Sequence, residues 1–65
     1  MTELTKTERH IVALVADGRT NHEIGERLRM SPKTVEWNLT KIYRKLNVRS
    51  RTELAVLFVK ARRSL

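Results

Sequence analysis

The chain has 65 residues, a formal net charge of +7, no cysteine and a single proline. This length allows one small domain, residues 1–65, with a thin core. The lack of cysteine excludes disulfide staples and thiolate metal sites, and it fits a reducing compartment such as the cytoplasm. The longest apolar runs, Ile11 to Ala16 and Leu54 to Val59, are far too short to span a bilayer, and MTELTKTERH lacks the apolar core of a signal peptide.

Charge is distributed unevenly. Up to residue 32, Lys6, Arg9, Arg19, Arg27 and Arg29 balance Glu3, Glu8, Asp17, Glu23 and Glu26. From residue 33 onward nine basic side chains face only Glu36 and Glu53, so the whole excess lies in the second half. That polarity is an electrostatic footprint for a polyanion.

In chain order, four helices are expected, at about 6–17, 21–29, 32–46 and 51–62, with no strand. Three of the starts carry Ser or Thr followed three residues later by Glu: Thr5/Glu8, Thr20/Glu23 and Ser50/Glu53. In such a box the hydroxyl accepts the N3 amide and the carboxylate accepts the cap's own amide. The first helix is expected to bury Ile11, Leu14 and Val15 with help from Val12, and to end at Asp17-Gly18, with glycine at a left-handed position. The second is short and buries Ile24 and Leu28. Gly25 inside it costs about 1 kcal/mol of helix propensity, which implies close approach by a neighbouring helix. Ser31-Pro32 supplies a cap and first-turn pair for the third helix, about three residues after the second, and this is the spacing of a helix-turn-helix. Asn47 closes the third helix.

The third helix has two opposed faces. At about 100° per residue, Val35, Leu39, Ile42 and Leu46 form one apolar stripe, with Tyr43 at its edge. Lys33, Trp37, Thr40 and Arg44 form the opposite stripe, flanked by Glu36 and Lys41. One face can lock into a core while the other presents cations, hydrogen-bonding groups and a flat aromatic to a partner such as the major groove of DNA. The fourth helix has Leu54, Leu57, Phe58 and Ala61 toward the core. Ala55, Val56 and Val59 make its far side apolar too, so a second copy or another part of a longer protein should cover them.

In LTKTERHIVALVADGRTNHEI, SPKTVEWNLTKIYRKLNV and SRTEL, over about residues 4 to 61, the chain resembles the LuxR-type (NarL/FixJ/GerE) helix-turn-helix domain. The resemblance implies an all-α, compact four-helix fold in which helices 2 and 3 form the helix-turn-helix. It further implies a C-terminal domain of a bacterial transcriptional regulator, with the third helix in the major groove and the fourth supporting dimerisation. Carried over, Glu36, Trp37, Thr40 and Lys41 occupy groove-facing positions and Thr34 meets phosphate. The family commonly has Lys where this chain has Glu36, and His where it has Asn38. A carboxylate cannot bind phosphate or guanine as lysine does, though it can accept from cytosine N4.

Further phosphate contacts are expected at Lys33, Arg44, Lys45 and Arg51, with Arg44 and Lys45 otherwise solvated charges. Asn21 either donates to phosphate with the free amides at the second helix's start, or only assists the cap. The expected dimer interface is Ala55, Val56 and Val59, weak enough to form on DNA. His10 and His22 lack plausible metal co-ligands and any triad arrangement, so no cofactor, metal or enzymatic activity is expected. A protein-interaction helix-turn-helix docking on RNA polymerase, as sigma region 4 does, is the alternative function. A basic peptide that folds only on a membrane surface is the second rival, and cooperative melting without lipid would separate it.

Overall fold

A computed structural model describes residues 3–63. Its elements are four helices, α1 (Lys6–Ala16), α2 (Asn21–Leu28), α3 (Pro32–Leu46) and α4 (Arg51–Arg63), with no strand among the described residues. The caps account for these boundaries. At Thr5 and Thr20 both halves of the capping box form, with Glu8 and Glu23 returning bonds of 2.8 and 2.9 Å to the cap amides. Ser31 caps α3 by accepting the Thr34 amide at 3.1 Å, with Pro32 in the first turn. At α4 the box is skewed. Ser50 Oγ accepts the Glu53 amide at 3.1 Å, but the Glu53 carboxylate reaches the amide of Arg49 at 3.4 Å, one residue before the expected partner.

Stops are equally local. Gly18 has φ +83°, and the amides of Gly18 and Arg19 bond back to the carbonyls of Val15 and Leu14, both at 3.0 Å, which is the Schellman pattern. Asn47 is left-handed at φ 54°. A third left-handed position, Arg29 at φ 59°, ends α2 one residue earlier than the sequence suggested. A non-glycine residue there pays the steric cost of its Cβ. In exchange the Met30 amide closes on the Gly25 carbonyl at 2.9 Å, turning the chain directly into α3.

Gly25 belongs to the same turn. A Cβ on it would run into the Met30 carbonyl oxygen, with the Pro32 nitrogen also close. The space is therefore taken by the chain's own turn and not, as expected, by a neighbouring helix. The crossing of α2 and α3 is thus tightened at the backbone, and this sets how α3 projects from the domain.

The core is made by Leu4, Ile11, Val12, Val15, Ile24, Val35, Leu39, Ile42 and Leu54. α1 packs chiefly on α4, and α2 on α3. In α1 it is Val12, not Leu14, that is fully buried; Leu14 and Leu28 lie half-buried at the rim. α4 contributes one fully buried side chain, Leu54, with Phe58 packed against the core. Val35, Leu39 and Ile42 hold α3 down along one stripe, which fixes what its other stripe presents.

Candidate nucleic-acid interface

With Val35, Leu39 and Ile42 inward, the residues between them must face out. Trp37 is 67% exposed. Glu36, Thr40 and Lys41 are exposed as well, so all four expected base-contact residues share the outer face of α3. Glu36, Trp37 and Thr40 line one shallow depression with Lys33 and Thr34 from the first turn. Tyr43 is half-buried against the core and is not on this surface.

Several groups on the face are already engaged. The Lys41 ammonium lies over the Trp37 ring, 4.5 Å from its centroid, so this cation and this aromatic are presented as a stacked pair. The Thr40 hydroxyl donates to the Glu36 carbonyl at 3.2 Å, and Asn38 Nδ2 to the Thr34 carbonyl at 2.9 Å. The Thr34 hydroxyl shares a 3.0 Å bond with the cap, Ser31 Oγ. The side chains of Lys33, Glu36 and Arg44 have no hydrogen bond or ion pair among the described residues.

Two of the cations expected on phosphate are paired with other groups of the chain. Lys45 Nζ is gripped by both carboxylate oxygens of Glu8, at 2.7 and 2.9 Å, which joins the end of α3 to the start of α1. Glu8 is only 4% exposed. The Lys45 hydrogen bond, followed by the Thr5 amide, holds its carboxyl below the ordinary glutamate value, against the opposing effect of burial. Sequence reasoning gave Glu8 only its capping role; no local signal couples residues 37 positions apart.

Arg51 is likewise turned inward. Its guanidinium donates to Asn21 Oδ1 at 2.7 Å and to the Arg19 carbonyl at 2.5 Å, tying the first turn of α4 to the head of α2. With Oδ1 taken, Asn21 offers only its Nδ2 donors. Ala55 is half-buried, while Val56 and Val59 are 47% and 42% exposed and lie along one shallow groove on α4. No group of His, Cys, Asp and Glu able to hold a metal ion occurs among the described residues. No helix among them is long and apolar enough to cross a membrane.

Comparison with known families decides the kinship. Residues 2–58 match the family described as bacterial regulatory proteins, luxR family. The chain belongs to the LuxR family. It is similar to the transcriptional regulatory protein LiaR of Bacillus subtilis, 51% identical over 53 residues, covering 82% of this chain and 25% of LiaR. To the transcriptional regulatory protein ComA of the same organism it is 48% identical over 58 residues, covering 89% of this chain and 27% of ComA. A putative HTH-type transcriptional regulator of Mycobacterium tuberculosis, Rv0890c, is 49% identical over 51 residues, covering 78% of this chain but only 6% of that protein. The chain thus spans about a quarter or less of the length of these relatives.

Proposed function

We propose that this LuxR-family chain binds double-stranded DNA sequence-specifically, as one module of a transcriptional regulator, with α3 in the major groove. The observation that carries the reading is the division of α3. Its apolar stripe is locked into the core, while Trp37, at 67% exposure, and unpaired Lys33 and Arg44 stand on the surface. An α-helix with side chains is about 10–12 Å across and the major groove about 12 Å wide, so α3 can enter with its outer face toward the bases. Glu36, Trp37, Thr40 and Lys41 then meet base edges, and Lys33, Thr34 and Arg44 meet backbone at either end. Asn21 donates through Nδ2 at the head of α2.

Lys45 and Arg51 are better read as members of the frame, since Glu8 and Asn21 already hold their charged groups. Lys33 and Arg44 then remain for phosphate, and the Lys41 ammonium, entering the groove between the phosphate rows, displaces a third counterion. At about −0.9 per phosphate, the slope of log K against log salt should be roughly −3 per bound chain. A titration of duplex DNA at several salt concentrations measures it, and an affinity that does not change with salt would defeat the reading. RNA polymerase as the partner of this face would give no duplex binding in the same titration.

Pairing on DNA is the second part of the proposal, and the exposed apolar strip on α4 supports it. Ala55, Val56 and Val59 form an apolar strip too small for a tight dimer, since a few hundred Å² at roughly 25 cal/mol per Å² is offset by association entropy of comparable size. Two half-sites about one helical turn apart would hold two copies at high effective concentration. No chemistry of its own is assigned to the chain.

A further inference from the structure

The outer face of α3 is built of donors, cations and an aromatic ring, with one exception. Glu36 presents two carboxylate oxygens, and neither has a hydrogen-bond or ion-pair partner among the described residues, although Lys33 and Thr40 lie one turn away on either side. Lys41, the other cation nearby, rests on the Trp37 ring, and the Thr40 hydroxyl is spent on the Glu36 backbone carbonyl. The carboxylate is therefore neither neutralised by its neighbours nor used to hold the helix together. Brought against a polyanion, an unpaired acidic group repels it and loses water, so it weakens binding unless it meets a donor.

Resting on the reading of α3 as a groove-binding helix, we propose that Glu36 is the specificity-determining residue of this surface and selects a cytosine through its N4 amino group. Only two base-edge donors face the major groove, cytosine N4 and adenine N6. Adenine N6 sits beside the N7 acceptor, whose lone pair opposes a carboxylate placed to receive the amino hydrogen. Cytosine N4 has a C–H at its side and no acceptor on its own base edge. Guanine and thymine offer Glu36 only acceptors or a methyl group, and repel it or leave it unpaired. Trp37 is exposed in the same depression; on DNA it would wall the contact from water on one side and so sharpen the penalty for a wrong base.

The chemistry makes a directional code. In Glu36→Gln, the amide donates as well as accepts, and it should move the preference from cytosine to adenine. In Glu36→Lys, the ammonium should move it to guanine, and in Glu36→Ala the position should become indifferent. One direct contact of this kind corresponds to roughly 5- to 150-fold discrimination between the right and the wrong base. Selection of bound sequences from random duplex DNA, run on the wild-type chain and the three variants, reads the code directly. On the site so found, replacing the cytosine by N4-methylcytosine puts a methyl group where the carboxylate must lie. It should weaken wild-type binding by the same factor and leave Glu36→Ala unaffected. The base substitution leaves the wild-type protein unaltered, so a variant that misfolds does not blunt the test.

If the wild-type chain selects a defined site and all variants select the same one, or N4-methylation has no effect, the assignment of Glu36 is overturned while duplex binding stands. If the wild-type chain shows no salt-sensitive binding to duplex DNA, the groove reading falls and this inference with it.

Discussion

Replacing Lys45 by methionine keeps the stem of the side chain and removes its ammonium, and this should be among the most damaging changes available outside the apolar core. Glu8 would be left 4% exposed with the Thr5 amide, at 2.8 Å, as its remaining donor. Removing one partner from a buried pair costs about 3–5 kcal/mol. Here the Lys45 side chain is 36% exposed, so water can approach the vacated side, and about 2–4 kcal/mol is expected. A domain of this size has only about 3–10 kcal/mol in total, and each kcal/mol lowers Tm by about 4–8 °C, so a fall of about 8–32 °C should follow. Glu8→Gln should cost less, about 1–2 kcal/mol. The glutamine oxygen can still accept the Thr5 amide, and the freed lysine can turn to water. The double variant should be more stable than Lys45→Met alone, because no charge is then buried without a partner. Urea unfolding followed by far-UV circular dichroism gives all three values. Losses below about 0.5 kcal/mol for both single variants, or a greater loss for Glu8→Gln, would refute the argument that burial makes this pair matter.

The same pair sets an acid response. Lys45 and then the Thr5 amide depress the Glu8 carboxyl below 4.5, so its contribution is complete above that value and is lost as pH falls through the lower folded one. The gap between wild type and Lys45→Met, measured by thermal melts across acid pH, should therefore narrow on acidification. Gly25→Ala should destabilise by more than about 2 kcal/mol, since the added carbon meets backbone of the turn. Gly18→Ala, with open space around it but φ +83°, should cost only about 1–2 kcal/mol in the same denaturation assay. Arg44→Ala should weaken binding to all duplexes about equally, whereas Trp37→Ala should change base preference at a few positions by about 1–3 kcal/mol, as a gel-shift series on variant sites would show. Changing both Val56 and Val59 to Glu should leave melting nearly unchanged and abolish cooperative occupancy of a paired site; unchanged cooperativity would assign those valines to an interface with another part of a longer protein.

What the sequence made legible was whatever is encoded within one or two turns. The Thr5, Thr20 and Ser31 caps, the left-handed Gly18 and Asn47, and the phase of α3 depend on neighbours three to four residues apart, and period and spacing report those. The misreadings are tertiary. Lys45 resembled a free cation because its partner Glu8 is 37 residues away in an element whose own cap already explained that glutamate. The hold of Asn21 on Arg51 was hidden in the same way, because nothing local shows that α4 begins beside the head of α2. Gly25 signalled a close approach correctly, but only the left-handed Arg29 reveals that the approaching group is the turn itself. Val12 is fully buried and Leu14 only half-buried, a choice that depends on which neighbours α1 meets and that apolar periodicity on one helix cannot specify.

Trp37 is the chain's only tryptophan and stands at the centre of the proposed interface, so its fluorescence tests the central claim most directly. Titration with a selected duplex should shield it from a soluble quencher such as acrylamide, and raising the salt should restore access as the complex dissociates with a slope of roughly −3. Duplex DNA that binds the chain while Trp37 stays as accessible as in the free protein would show that α3 does not lie against the DNA.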